Sequence, residues 1–122
     1  MPPIEDWLTF IHTPEFDEEW DELGLDDEDL ARLQSVILAN SEAGDLIAGT
    51  GGLRKLRFAP EGKGKSGGCR VCYASFPKYG IVILTLVYGK RAKADLTLAD
   101  RKAIAGLLKQ FEAEFKRREE EF

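Results

Sequence analysis

The stretch that most constrains the fold is "CRVCYASFPKYGIVILTLVYG", Cys69 to Gly89. Two runs rich in β-branched and aromatic residues flank Pro77 to Gly80, a four-residue connection of turn-forming residues, and this predicts an antiparallel hairpin. The second run, Gly80 to Gly89, is apolar on both faces and reads as the most buried strand of a sheet. The first places Val71 and Tyr73 opposite Arg70 and Cys72. Upstream, "LRKLRF" (Leu53 to Phe58) alternates, with Leu56 and Phe58 on one face and Lys55 and Arg57 on the other. The middle of the chain is therefore a three-stranded antiparallel unit with cations on its strands.

Helix signals surround it. Trp7 to His12 predicts a short edge strand, and Thr13 followed by Pro14 is an N-cap with proline at the first helical position, opening an acidic helix to about Glu22. Gly24 ends it. Asp26 caps a second helix with an apolar stripe of Leu30, Leu33, Ile37 and Leu38, and Asn40 to Thr50 reads as a loop. Thr97 with Asp100 resembles a capping pair for a last helix, striped by Ile104, Leu107, Leu108, Phe111 and Phe115, with a solvated charged tail after Lys116. The expected class is α+β: a small twisted antiparallel sheet with the N-terminal helices and the C-terminal helix packed on one side of it. Residues 1–122 make one domain, divided into an acidic 1–48, a basic 49–93 and a helical 94–122.

That division is sharpest in charge. Residues 1–48 hold fourteen Asp/Glu and one Arg, a balance of −13; residues 49–93 hold ten Lys/Arg and one Glu, a balance of +9. Such asymmetry marks a surface that meets a polyanion, or else two halves that neutralise each other; cations on strands and a Gly-rich loop favour the first. The acidic region reads as solvated helix faces, with docking on the basic face or a role in partner choice as the other reading. An apolar content of 43% suffices for a core. No apolar run reaches the about 20 residues of a membrane span, and "MPPIEDW" lacks the basic and apolar regions of a secretory signal. With two cysteines, the expected setting is cytoplasmic.

"GKGKSGGCRVCY" (Gly62 to Tyr73) carries competing motifs. With the preceding residues, "APEGKGKS" satisfies the loose phosphate-loop pattern. That loop works by opening a helix whose amides hold phosphate, whereas Ser66 leads into two glycines and a strand. "CRVC" has redox or zinc spacing, but residues three apart on a strand face opposite ways, so Cys69 and Cys72 neither bridge nor share a metal and read as packing. The remaining reading is a basic surface. Lys55 and Arg57 share a strand face, Arg70 projects from the next strand, Lys63 and Lys65 lie on the loop between, and Lys90 and Arg91 follow the third strand. Clustering these cations is costly unless they face water or a polyanion.

The blocks "GTGGLRKLRFA" (Gly49 to Ala59), "GKGKSGGCRVCY" and "LVYGKRAKADLT" (Leu86 to Thr97) resemble the HigB branch of the RelE/ParE toxin superfamily over about residues 45 to 115, and the order of elements matches. The resemblance implies the toxin of a type II toxin-antitoxin system, a ribosome-dependent endoribonuclease that cuts mRNA in the decoding site. It also implies a small antitoxin of helix-turn-helix type as partner, beside the ribosome and mRNA, with no membrane partner. Carried across, Lys55 and Arg57 match the basic pair of the first central strand, Arg70 the arginine of the second, and Arg91 the one after the third. Leu96 and Thr97 stand where better-known members carry a tyrosine. Tyr73 and Tyr88 are the alternatives for stacking on substrate, each with the core as its other reading.

RNA cleavage by 2′-OH attack needs a base, stabilisation of a negatively charged phosphorane and an acid. One histidine excludes a His/His pair. Lys55, beside Arg57 and Arg70, is the expected base; the two arginines stabilise the phosphoryl charge, and Arg91 is the acid or an electrostatic aid. Arg54, Lys63, Lys65, Lys90 and Lys93 are expected to contact RNA or ribosomal backbone. No metal or other cofactor is required by this chemistry. Two rivals share the fold or the charge: a ParE-like gyrase poison, and a non-catalytic RNA- or ribosome-binding module.

Overall fold

In a computed structural model, which describes residues 8–60, 68–89 and 96–121, the chain forms five strands and three α-helices. They run in the order β1 (Thr9–His12), α1 (Pro14–Glu22), α2 (Asp27–Ala39), β2 (Asp45–Leu46), β3 (Leu53–Phe58), β4 (Cys69–Phe76), β5 (Ile81–Gly89) and α3 (Leu98–Glu120). The α+β architecture is the expected one, with the sheet ordered β1-β5-β4-β3-β2.

The local signals act as their chemistry dictates. Thr13 accepts a hydrogen bond from Phe16 N at 3.1 Å and caps α1, with Pro14 at its first position. Asp26 with Asp29, and Thr97 with Asp100, close reciprocal capping boxes on α2 and α3. A 3₁₀ turn over Pro77–Tyr79 joins β4 to β5 as an antiparallel pair.

A short strand, β2, forms inside the Asn40 to Thr50 segment read as a loop, and four further features differ from the expectation. First, β1 runs parallel to β5, so the sheet is antiparallel everywhere but at that edge. Second, the helices do not share one side. Phe16 and Trp20 of α1 and Leu33 and Ile37 of α2 pack with Phe58, Val71, Tyr73, Val82, Leu84 and Val87, whereas Leu108, Ile104 and Phe111 of α3 pack with Leu53, Cys72, Ala74 and Leu86. These are opposite faces of the pleat, and central strands apolar on both faces need a helix on each. Third, Leu38 and Leu107 lie outside their stripes, 41% and 48% exposed. Fourth, α3 continues to Glu120, its last turns carrying ion pairs of Glu114 with Arg117 and Arg118 and of Arg117 with Glu121.

A bulge changes the phase of β5. Cys72 pairs with Leu86 but Tyr73 with Leu84, leaving Thr85 unpaired in the ladder. Thr85 Oγ1 donates to Cys72 O at 2.8 Å, and Thr85 O accepts from Thr13 Oγ1 at 2.7 Å. Thr13 thus caps α1 and ties it to the bulge at once. Thr13→Ala is expected to lose about 1–2 kcal/mol, read as a lowered urea midpoint, with Thr13→Ser recovering most of it.

The "GTGG" block is the seat of α3. Thr50 is fully buried; its Oγ1 donates to Ile47 O at 2.6 Å and accepts from Leu53 N at 3.1 Å. Gly51 has φ +72°, and a Cβ there would meet Ala105 of α3 at 3.3 Å, so glycine supplies both the left-handed turn and the close approach of the helix. Arg101 of α3 reaches across to donate to Ala48 O at 2.9 Å and Leu96 O at 3.3 Å.

Candidate functional site

The α3 face of the sheet extends beyond the area that α3 covers, and the cations stand there. Lys55 and Arg57 alternate with buried Leu53 along β3, and both are exposed. On β4, Arg70 shares the face of Cys72. Arg57 is the direct cross-strand partner of Arg70, and Arg70 of Tyr88 on β5, so one row across the face reads Arg57, Arg70, Tyr88. The next row reads Asp45, Lys55, Cys72, Leu86. Directly opposed side chains have Cβ atoms about 4.5–5.5 Å apart, a spacing at which like charges are destabilising.

Among the described residues, none of Lys55, Arg57 and Arg70 is held in an ion pair. Arg70 Nη1 only reaches back to Cys69 O at 3.4 Å. A cavity of about 420 Å³ lies over them, lined by Ala43, Asp45, Lys55, Leu56, Arg57 and Arg70. A second of about 190 Å³ adjoins Lys55 and is lined also by Ile47, Cys72, Leu86, Tyr88, Leu96 and Arg101.

The structure brings together Lys55, Arg57 and Arg70 and does not bring Arg54 to them. Arg54 faces the other way, with its side chain 18% exposed, and its guanidinium donates to Gly44 O at 2.8 Å and Glu42 O at 3.4 Å beside the Glu42 carboxylate. Its role is to hold the 42–44 loop, and the alternation of the strand already requires that it oppose Lys55. Lys63, Lys65, Lys90, Arg91 and Lys93 lie outside the described residues.

The two tyrosines separate cleanly. Tyr73 is fully buried, and its hydroxyl donates to Ser41 O and accepts from Gly44 N, both at 2.9 Å. Burial pushes that hydroxyl above its ordinary pKa, which keeps it a donor. Tyr73 belongs to the core. Tyr88 lies on the cationic face. Asp45 was not visible as a site residue from sequence, because only the pairing of β2 with β3 sets it beside Lys55.

Both cysteines are free and buried, Cys69 on the α1–α2 face and Cys72 on the α3 face. Burial pushes each thiol from about 9 up to about 11, against the opposing pull of Arg70 on Cys69 and of Lys55 on Cys72. The folded chain therefore keeps protons that the unfolded chain releases above about pH 9. This contribution to stability is full below pH 9 and falls as pH rises toward 11. The native protein is expected to react slowly with an aromatic disulfide reagent at pH 8, with both thiols reacting rapidly once it is unfolded in urea.

Among the described residues, no helix is long and apolar enough to cross a membrane. No protein-family model matches the chain.

Proposed function

We propose that this protein is an endoribonuclease of the RelE/HigB type, the toxin of a toxin-antitoxin pair, cutting mRNA on the ribosome by 2′-OH attack on the adjacent phosphate. The observation that supports this reading most is the opposed pair Arg57 and Arg70, set side by side on one sheet face and, among the described residues, held in no ion pair. A local arrangement that opposes folding is the kind that a bound polyanion compensates.

In this reading the scissile phosphate lies over Arg57 and Arg70, which stabilise the charge of the pentacoordinate state. Guanidinium groups suit this work because they stay charged and match phosphate oxygens with paired donors. Lys55, one pleat repeat along β3, receives the 2′-OH proton as the 2′-oxygen bonds phosphorus. The P–O5′ bond breaks to leave a 2′,3′-cyclic phosphate, and the 5′-oxygen takes a proton from water or Arg91. Asp45, paired with Lys55 in the sheet register, opposes the loss of the lysine's charge that Arg57 and Arg70 favour. Tyr88, next to Arg70, offers a ring to a flanking base. In this reading the protein works in the cytoplasm, with mRNA, the ribosome and a small antitoxin as partners.

The test is to map mRNA 5′ ends after expression of the chain in growing cells. Cuts inside codons, lost when translation initiation is blocked, are expected. Growth arrest with intact mRNA and cleaved DNA points instead to gyrase poisoning, and binding without cuts to a non-catalytic module; either result overturns the proposal.

A further inference from the structure

Lys55 lines both cavities of the cationic face, and their linings differ in charge. The larger is lined by the charged Asp45, Lys55, Arg57 and Arg70 together with Ala43 and Leu56. In the smaller, the floor is the sheet row of Cys72 and Leu86 with Tyr88 beside it, and the walls are Ile47 and Leu96; among the described residues, Lys55 and Arg101 supply its charges. We infer that the smaller cavity is a nucleobase pocket, which receives one base of the RNA strand whose phosphate rests on Arg57 and Arg70. The inference rests on the RNA reading above and adds where the strand is read.

Size selects the class of occupant. At about 190 Å³ the cavity is well below the roughly 300–1,000 Å³ that drug-sized ligands occupy, which suits one heterocycle rather than a whole nucleotide. Its lining suits that ring. Aliphatic carbons and a buried thiol meet an apolar ring face, a phenol borders it, and the described lining residues include no carboxylate to repel an RNA strand. Single-stranded RNA is read in this manner, by seating unstacked bases on apolar or aromatic groups and bonding their edges.

Spacing links the two cavities. Arg57 and Lys55 are two residues apart on β3, as are Arg70 and Cys72 on β4, so the phosphate row and the pocket row are separated by about 6.8 Å along the strands. That separation is of the order of the distance between phosphate and base within one nucleotide, so both rows can be occupied by one residue of the strand. The pocket is also held open in advance. Arg101 bonds Ala48 O on one rim and Leu96 O on the other, and the buried Thr50 turn fixes the segment that carries Ile47. Arg101 is thus a positioning residue, and preorganised rims favour discrimination between bases over tolerance.

The experiment is an NMR titration of the full chain, following backbone amide shifts, with each 3′-nucleoside monophosphate and separately with inorganic phosphate. Inorganic phosphate is expected to shift the amides of Arg57 and Arg70 alone. At least one nucleotide is expected to shift Ile47, Leu86 and Leu96 as well, and Leu86→Phe, which fills the cavity, to remove the second set while keeping the first. Should Leu86→Phe fail to fold, Ile47→Phe at the rim makes the same comparison. Nucleotides that shift only the phosphate set, or pocket shifts that survive the filled cavity, overturn the inference. Pocket shifts without mRNA cleavage on ribosomes remove the nuclease reading and leave the pocket; cleavage without pocket shifts removes the pocket alone.

Discussion

Replacing Arg70 with alanine is expected to lower mRNA cleavage on translating ribosomes by about 10²–10³-fold and to abolish growth arrest, while the protein stays folded. The two halves of that result have one cause. Arg70 opposes Arg57 across the β3–β4 ladder and is held in no ion pair among the described residues, so its removal relieves like-charge repulsion. Thermal stability should hold or rise slightly as activity disappears. A residue kept for structure gives the reverse pattern. Full toxicity of Arg70→Ala would sink the assignment, and a graded loss of binding with a shallower salt dependence would mark a phosphate contact in a non-catalytic module.

The largest effect on stability is expected at Phe16, where alanine should cost about 3–5 kcal/mol, enough to unfold a substantial fraction of a domain this small. Phe16 is fully buried and stacks on Trp20 at 5.4 Å, and Trp20 in turn packs against Phe58 at 6.1 Å. It is the residue through which α1 closes the face of the sheet opposite the cations. Leu107→Ala in the half-exposed part of α3 serves as the control, with a change within about 0.5 kcal/mol. Urea denaturation of both variants makes the comparison. Equal losses would mean that Phe16 and Leu107 do not differ in burial as the packing indicates.

Much of this fold was legible because its signals are local. The bounds of β3 and β4, the caps at Thr13, Asp26 and Thr97, and the opposed directions of Cys69 and Cys72 follow from two-residue alternation and from side chains that bond amides within their own turn. The grouping of Lys55, Arg57 and Arg70 followed from the same alternation. Arg54, expected among the RNA or ribosome contacts, opposes Lys55 and Arg57 on the same strand and bonds the 42–44 loop.

What the sequence alone could not supply is whatever depends on contacts between distant segments. Helices on one side of the sheet were the expectation; the second core and the helix that covers it come from tertiary packing, with the Thr50–Gly51 turn as the seat of α3. Asp45 joins the site only because β2 pairs with β3. Tyr88 is the clearest case. Unbroken alternation along β5 would set it on the face of Val82 and Leu84, in the core under α1 and α2. One unpaired residue, Thr85, reverses the phase so that Leu86 and Tyr88 turn to the other face and Tyr88 stands beside Arg70. By itself, the sequence determined the strands other than β2, the caps and the side on which Lys55, Arg57 and Arg70 emerge, since each is set by neighbours along the chain. The bulge, the helix on each face and the pocket beside Lys55 were decided by the tertiary structure, because each is a hydrogen bond or a packing contact between residues far apart in sequence.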